Sequence, residues 1–244
     1  MSLVDQIRNY WDIDSATYDR AEGHRPTSSA EKSAWSAAFA RLLPAAPARV
    51  LDCGAGTGFL SLIAARLGHK VTALDVSTGM LAQLRARADT EGLGIDIIEG
   101  PAEHPPPGPF DAVIERHVVW TLPDPAAALA AWRGVAPYGR LVLVEGVWGK
   151  VDPVEKARAR LRNLVRQVRR IPDDHHAPYA SEIAEALPFS HGTQPSALVD
   201  MVAAAGWPDP RIERLRDVEW AANMARPLPE RLIGVSPRYV VSAG

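Results

Sequence analysis

The chain has 244 residues, 47% of them hydrophobic, which suffices for one well-buried α/β domain with a lid and is too little for two full domains. A net charge of −2 lacks the basic excess of a nucleic-acid or membrane-surface binder. A single cysteine excludes an internal disulfide and fits a reducing compartment, so a cytoplasmic location is expected; Met1 to Tyr10 has no apolar core of a signal peptide, and the apolar runs are strand-sized.

Residues 1–30 form a polar-aromatic segment, expected to cap the domain. From Arg49 onward, strand-like and helix-like pieces alternate. "RVLDCG" is a short buried strand ending in glycine, followed by the helix "FLSLIAARLG", with Leu60, Ile63, Ala64 and Leu67 on one face and Gly68 as its stop. "KVTALD" is a second strand. "STGMLAQLRARADTEG" is a helix with Ser77 as N-cap and Gly92 at its end. "IDIIEG" is a third strand, and the proline cluster 104–109 reads as a rigid loop before the fourth, which opens "FDAVIERHVVW". Asp124 caps a helix that has Pro125 at its first position and turns Leu129, Trp132 and Val135 inward. "RLVLVEG" is a fifth strand.

Residues 150–195 interrupt this rhythm. An Arg-rich amphipathic helix capped by Asp152, with apolar Val154, Ala157, Leu161, Leu164 and Val168, is followed by a His-, Pro- and Asp-rich loop. This insertion is expected to act as a lid over the sheet's carboxyl edge. The Arg158-to-Arg170 run reads as a solvated face, with contact to an anionic substrate or partner as the rival. A helix from Ser196 to Gly206 and two late strands, "RIERL" and "RYVVSA", complete the chain. Apolar strands separated by helices imply a mostly parallel sheet covered on both faces. The expected division is a cap over 1–30, a core over 31–149, a lid over 150–195 and the rest of the core over 196–244.

The strongest local signal is Asp52-Cys53-Gly54-Ala55-Gly56-Thr57-Gly58 between a strand and a helix. Glycines let the backbone turn tightly and approach a ligand, and the helix amide end favours a carboxylate or hydroxyl. The spacing is G-x-G-x-G, not the G-x-G-x-x-G of dinucleotide binders. Asp75 ends the second strand about twenty residues on, where an acceptor-only carboxylate suits two ribose hydroxyls. Cys53 reads as a strand-end filler.

These residues resemble the S-adenosylmethionine (SAM) signature of the class I methyltransferase family, over roughly Arg49 to Glu145. The resemblance implies a Rossmann-like α/β fold with a seven-stranded sheet, SAM as cofactor and S-adenosylhomocysteine (SAH) as product. By position it implies contacts to SAM from Asp52, Gly54, Gly56 and Gly58, ribose binding by Asp75 with Val76 beside it, and adenine packing on Met80. Where the family often has an acidic residue before a small one, this chain has Pro101-Ala102, so Ala102 or Glu103 would hold the adenine edge. "RHVVWTLPDP" and "YWDIDSATYD" resemble the post-strand-four stretch and N-terminal cap of bacterial small-molecule methyltransferases, which adds Tyr18 and Arg116 to the cofactor set.

Methyl transfer from a sulfonium needs alignment, exclusion of water and, for some acceptors, a base. His117 is the first candidate base and Glu115 the second; Glu145 is a further polar group expected there. Tyr10, Trp11, Trp120, Trp148, His176, Tyr179 and His191 are the candidate substrate residues, with aromatic faces suited to a flat acceptor. Trp35, Trp132, Trp207 and Trp220 read as packing. No metal site is expected: His175 and His176 lack a third ligand at a recognisable spacing.

A nicotinamide oxidoreductase would show a different glycine loop and often Tyr-x-x-x-Lys. A non-catalytic relative would be expected to lose the glycines or Asp75. No Asn/Asp-Pro-Pro-Tyr motif of nucleic-acid amino methylation is present. The expectation is a small aromatic natural-product acceptor, methylated at carbon, nitrogen or oxygen, by a monomer or homodimer. The pattern also resembles the indole C3-methyltransferases of physostigmine-type biosynthesis, which implies C3 of a tryptamine- or tryptophan-derived indole.

Overall fold

A computed structural model describes residues 1–21, 23–146, 153–168, 178–190, 192 and 194–244. The five apolar runs become strands β1 (Arg49–Cys53), β2 (Lys70–Asp75), β3 (Ile95–Glu99), β4 (Ala112–Arg116) and β5 (Arg140–Gly146). They pair in parallel, and β6 (Arg211–Arg214) and β7 (Arg238–Ala243) close the sheet antiparallel, in the order β3-β2-β1-β4-β5-β7-β6. This is a Rossmann-like α/β fold. Chain order reverses between β1 and β4, which opens a crevice above their carboxyl ends.

Alternate residues of the central strands feed opposite layers. Val50, Ile114, Val142 and Val144 pack with α2 (Ser29–Leu42), α3 (Phe59–Arg66) and α9 (Arg216–Met224). Leu51, Val113, Leu141 and Leu143 pack with α5 (Pro125–Val135) and α8 (Pro195–Ala204). Helix α4 (Thr78–Glu91) buries Leu81, Leu84 and Ala88 against Leu62 and Ala73. The boundaries follow local chemistry. Ser77 Oγ accepts from Met80 N at 3.1 Å, Asp124 Oδ1 from Ala127 N at 2.9 Å, and Gly92 ends α4 at φ 65°.

Helix α1 (Leu3–Asp14) opens with a Ser2–Asp5 capping box and lies against α4. A 3₁₀ turn, Tyr18–Arg20, follows it. Helix α6 (Pro153–Val168) is the Arg-rich helix expected from the sequence, but its apolar stripe is not covered among the described residues. Leu161 and Leu164 are 47% and 55% exposed, while Ala159, Arg162 and Val165 face inward to a cavity. The hydrophobic periodicity therefore misassigns the inward face of this helix. Helices α7 (Ser181–Ala186) and α10 (Leu228–Ile233) are short; α7 contacts α1 and α10 contacts α6. Among the described residues no helix is long and apolar enough to cross a membrane.

Trp132 locks α5 to the loop after β3. It is 0% exposed, and its Nε1 donates to Ala102 O at 2.7 Å. Trp132→Ala is expected to cost about 3–5 kcal/mol through the cavity and the orphaned carbonyl. Trp220, 64% exposed on α9, should tolerate alanine within about 0.5 kcal/mol. Urea unfolding of the two variants checks the contrast.

Candidate functional site

A cleft sits at the reversal point of the sheet, where ligands bind in open α/β sheets. Gly54 and Gly56 form its floor, Asp75 and Val76 one side, Met80 and the 101–103 loop another, and Arg116, His117 and Val118 the edge above β4. Gly56 has φ +55°, and a Cβ placed there would enter open space, so the bare loop leaves room for a ligand. Asp75 anchors the loop: Oδ2 accepts from Gly56 N and Oδ1 from Ser77 N, both at 2.8 Å. Burial raises its carboxyl to about 6 against those two hydrogen bonds. Each carboxylate oxygen keeps a second acceptor position for a ligand hydroxyl.

The N-terminal segment closes the cleft. Val4 and Ile7 of α1, with Trp11 and Tyr18, line it. Asp12 Oδ1 holds this cap in place by accepting from Ser77 Oγ at 2.6 Å and Gly79 N at 2.9 Å, at the amino end of α4. Arg8 Nε donates to Val76 O, and Asp19 pairs with Arg87 and accepts from Thr57 Oγ1. Gly79 makes the close approach possible, because a Cβ there would fall 2.6 Å from Ser15 Oγ.

His117 follows β4 in the left-handed region at φ 58°, a conformation non-glycine residues adopt at some cost. Its backbone N donates to Val144 O at 3.1 Å, and its Nδ1 lies 3.3 Å from Glu145 Oε2. Burial and the Arg116 and Arg238 charges hold the imidazole well below its ordinary pKa, so it is neutral. Burial pushes the Glu145 carboxyl up to about 8. Glu115, on the same face of the sheet, is also raised, by burial and by Glu145. Arg116 points to the other face, with its guanidinium 4.0 Å from the Phe59 ring centroid.

A second, larger cavity adjoins the first. Trp11, Tyr18, Arg116 and His117 line both, and so form a common wall. Trp120 and His24 face the larger cavity. Trp11 is the hub of an aromatic cluster, with ring centroids 4.9 Å from Tyr10, 6.1 Å from Tyr179 and 6.3 Å from Trp120.

Residues 51–143 match a family model described as a methyltransferase domain. A ubiquinone biosynthesis O-methyltransferase of Xylella fastidiosa is 36% identical over 109 residues, 42% of this chain and 44% of that protein. A protein-L-isoaspartate O-methyltransferase of Methylorubrum extorquens is 36% identical over 100 residues, 40% of this chain and 42% of that protein. The alignments thus span under half the length of these curated relatives. Among solved structures, the magnesium protoporphyrin IX methyltransferase of Synechocystis with bound SAH superposes with a TM-score of 0.60 at 15% identity, over 97% of each chain. The Haemonchus contortus phosphoethanolamine N-methyltransferase 2 gives 0.62 at 17%, over all of this chain and 60% of that one.

Of the cofactor residues expected from sequence, Tyr18, Gly54, Gly56, Asp75, Val76, Met80, Ala102, Glu103 and Arg116 line the cleft. Asp52 does not: it accepts from Ser61 Oγ at 2.6 Å and borders a small recess beside the glycine loop, together with Tyr18 and Arg116. Gly58 is also outside, since it starts α3 where a Cβ would strike Leu84 Cδ1 at 2.2 Å. Glu115 reaches neither cavity; its Oε2 accepts from Val118 N at 2.8 Å and braces the turn that carries His117. Tyr10 and Tyr179 support Trp11 from behind rather than lining a cavity. Trp148, His176 and His191 lie outside the described residues. Among the described residues no cluster of three or more His, Cys, Asp or Glu could hold a metal ion.

Sequence reading missed Val4, Ile7, Asp12 and Gly79, because their role comes from the docking of α1 on α4. The signal that could have found Asp12 is a carboxylate in a segment read as a cap, with a helix amino end at Ser77 to receive it. Gly79→Val is expected to undock the cap without unfolding the core. Amide hydrogen exchange should rise across residues 3–20 and stay protected in β1, β4 and β5.

Proposed function

We propose that this chain is a SAM-dependent methyltransferase that methylates a small aromatic acceptor. The common wall of the two cavities carries this reading, because it brings a donor and an acceptor together at Trp11, Tyr18, Arg116 and His117. The matched methyltransferase domain covers the glycine loop, Asp75 and His117 and supports it. The residues present fit the cofactor: Gly56 leaves space, Asp75 offers acceptors to a ribose, and Met80 provides an apolar floor for adenine. Arg116 and Tyr18 border the recess by the glycine loop, where a guanidinium suits the methionine carboxylate. Bound SAM supplies an electrophilic methyl group on sulfur.

The chain's own part is alignment and proton handling. Trp11 and Tyr18 exclude water from the wall and stack against a flat acceptor. His117 accepts the acceptor's proton at Nε2, and Glu145 positions the ring through Nδ1. An ionised Glu145 accepts from Nδ1–H and leaves the Nε2 lone pair free. A protonated Glu145 donates to Nδ1 and leaves Nε2 carrying hydrogen.

Oxygen is the acceptor atom favoured by the O-methyltransferase names of the aligned relatives, and on an aromatic acceptor that oxygen would be a phenol. Indole C3 is the second reading, favoured by Trp11 and Trp120 in the larger cavity. In both cases a proton is lost, from the phenol O–H or the indole N–H.

Calorimetric titration of SAM tests the cofactor, and Asp75→Ala should weaken it about tenfold or more, the worth of hydrogen bonds to a charged group. No SAM binding by the wild-type chain rejects the reading. Labelled SAM assayed over phenols, indoles and amines, with the product located by NMR, decides the acceptor atom.

With an active acceptor and saturating SAM, His117→Asn should lower kcat by about 10²–10⁴, the range of general-base catalysis. The wild-type rate should rise with pH towards the Glu145 value of about 8, and Glu145→Gln should flatten that rise. Wild-type turnover in both variants would show that alignment alone suffices.

A further inference from the structure

Two buried carboxylates stand behind His117, and the positioning of its ring uses only one of them. Glu115 and Glu145 are 0% and 5% exposed. Strand register brings them together. Glu115 of β4 pairs with Leu143 of β5, so Glu145, two residues further on, projects from the same face of the sheet. Both lie beneath the turn Val119–Thr121, and the Val119 amide acts on both carboxyls. Glu115 Oε2 accepts from Val118 N at 2.8 Å, and Glu145 Oε2 lies 3.3 Å from His117 Nδ1. The other oxygen of each, Oε1, is buried and has no hydrogen-bond partner.

Among the described residues no lysine or arginine forms an ion pair with either carboxylate; the contact of Glu145 with His117 is the one such approach. Arg116 leaves for the opposite face, where Phe59 receives it. Two neighbouring carboxylates out of water and without a cation cannot both be ionised, so one member keeps a proton while the other is charged. Glu145 is the member that gains by ionising, because His117 Nδ1–H donates to it. The retained proton therefore belongs to Glu115, whose carboxyl is raised by burial and by Glu145. Placed between the two Oε1 atoms, that proton satisfies both orphan oxygens at once.

We propose that Glu115 and Glu145 act as one carboxyl pair, which holds a single proton in the active enzyme, receives the acceptor's proton through His117, and is brought to this state by the positive charge of bound SAM. His117 Nε2 takes the proton of the acceptor's O–H or N–H, and its Nδ1–H passes to Glu145 Oε2. The S–CH3 bond is exchanged for a bond from methyl to acceptor, with the electron pair staying on sulfur. Charge balances at both ends: a sulfonium faces a pair with one negative charge before transfer, and a neutral thioether faces a neutral pair after it. His117 returns the proton to water once the product leaves. Glu115 is a positioning residue here, since it acts through Glu145. The proposal rests on the methyltransferase reading, because it needs the sulfonium.

The test reads protons rather than turnover and needs no acceptor. Burial holds Glu145 at about 8, so at pH 7 it is mostly protonated before the cofactor binds. A positive charge about 10 Å away, at an effective dielectric of about 20, lowers a carboxyl pKa by about one. Calorimetric titration at pH 7 in buffers of different ionisation enthalpy should therefore show SAM releasing about 0.3–0.5 proton more than SAH, which lacks the charge. The Asp75 carboxyl, at about 6, meets the same ribose in both ligands and cancels. Asp52, at about 7, is the other buried carboxyl near the cleft, and Asp52→Asn should keep the difference. Glu145→Gln should abolish it. Glu115→Gln mimics a protonated carboxyl and still accepts from Val118 N, so it should keep the difference at an unchanged pH midpoint; a midpoint lower by about one would mean that Glu115 is charged and would refute the pair. If Glu145→Gln does not fold, the wild-type chain decides: the excess should fade above about pH 9, where Glu145 is ionised before SAM arrives. Equal release by SAM and SAH at pH 7, an excess that persists above that pH, or one that survives Glu145→Gln overturns the proposal and leaves the methyltransferase reading standing. Failure of both ligands to bind rejects that reading and the pair with it.

Discussion

The Asp75 carboxylate is the tie on which the site depends. One oxygen holds the glycine loop through Gly56 N and the other holds the entrance of α4 through Ser77 N. Ser77 caps α4 and donates its hydroxyl to Asp12, which keeps the N-terminal cap over the cleft. A single chain of hydrogen bonds thus runs from strand end to loop, helix and lid. The buried carboxylate is costly to desolvate and is held by backbone donors that cannot move independently. Loss of its charge would loosen three elements together.

Beyond the floor of the cleft, the sheet sorts chemistry by alternation. Arg116 goes to the α2–α3 face, where Phe59 and Trp35 receive it. Glu115 and Glu145 go to the α5–α8 face, where burial raises both carboxyls. His117 stands at the end, turned by a positive φ so that it reaches the wall between the cavities. The strained residue is the one proposed to handle the proton, which accords with strain being retained at functional positions.

Much of the fold was legible because its signals are local. The five apolar runs, the Ser77 and Asp124 caps and the left-handed Gly92 each declare themselves within a few residues. The glycine loop and Asp75 were legible for the same reason. What could not be read was set by tertiary approach. Gly58 resembles its neighbours in sequence, yet Leu84 of another helix claims the space at its Cα. Asp52 borders the recess beside the glycine loop rather than the cleft itself, with one oxygen accepting from Ser61 in the first turn of α3. Helix α6 shows the reverse error: its regular apolar stripe suggests a core face, but Arg162 and its neighbours are what the cavity receives. The arginines that line the larger cavity, drawn from β4, α6, β7 and the segment after α9, share no sequence pattern, since only the antiparallel return of β7 makes them neighbours.

Trp11 and Tyr18 are lining residues of both cavities at once. A molecule pressing on either ring from one side changes the fit of whatever occupies the other. Thermodynamic reciprocity then requires each ligand to alter the other's affinity by the same factor. Because Trp11 and Tyr18 line both cavities, a substitution at either position would reshape both at once.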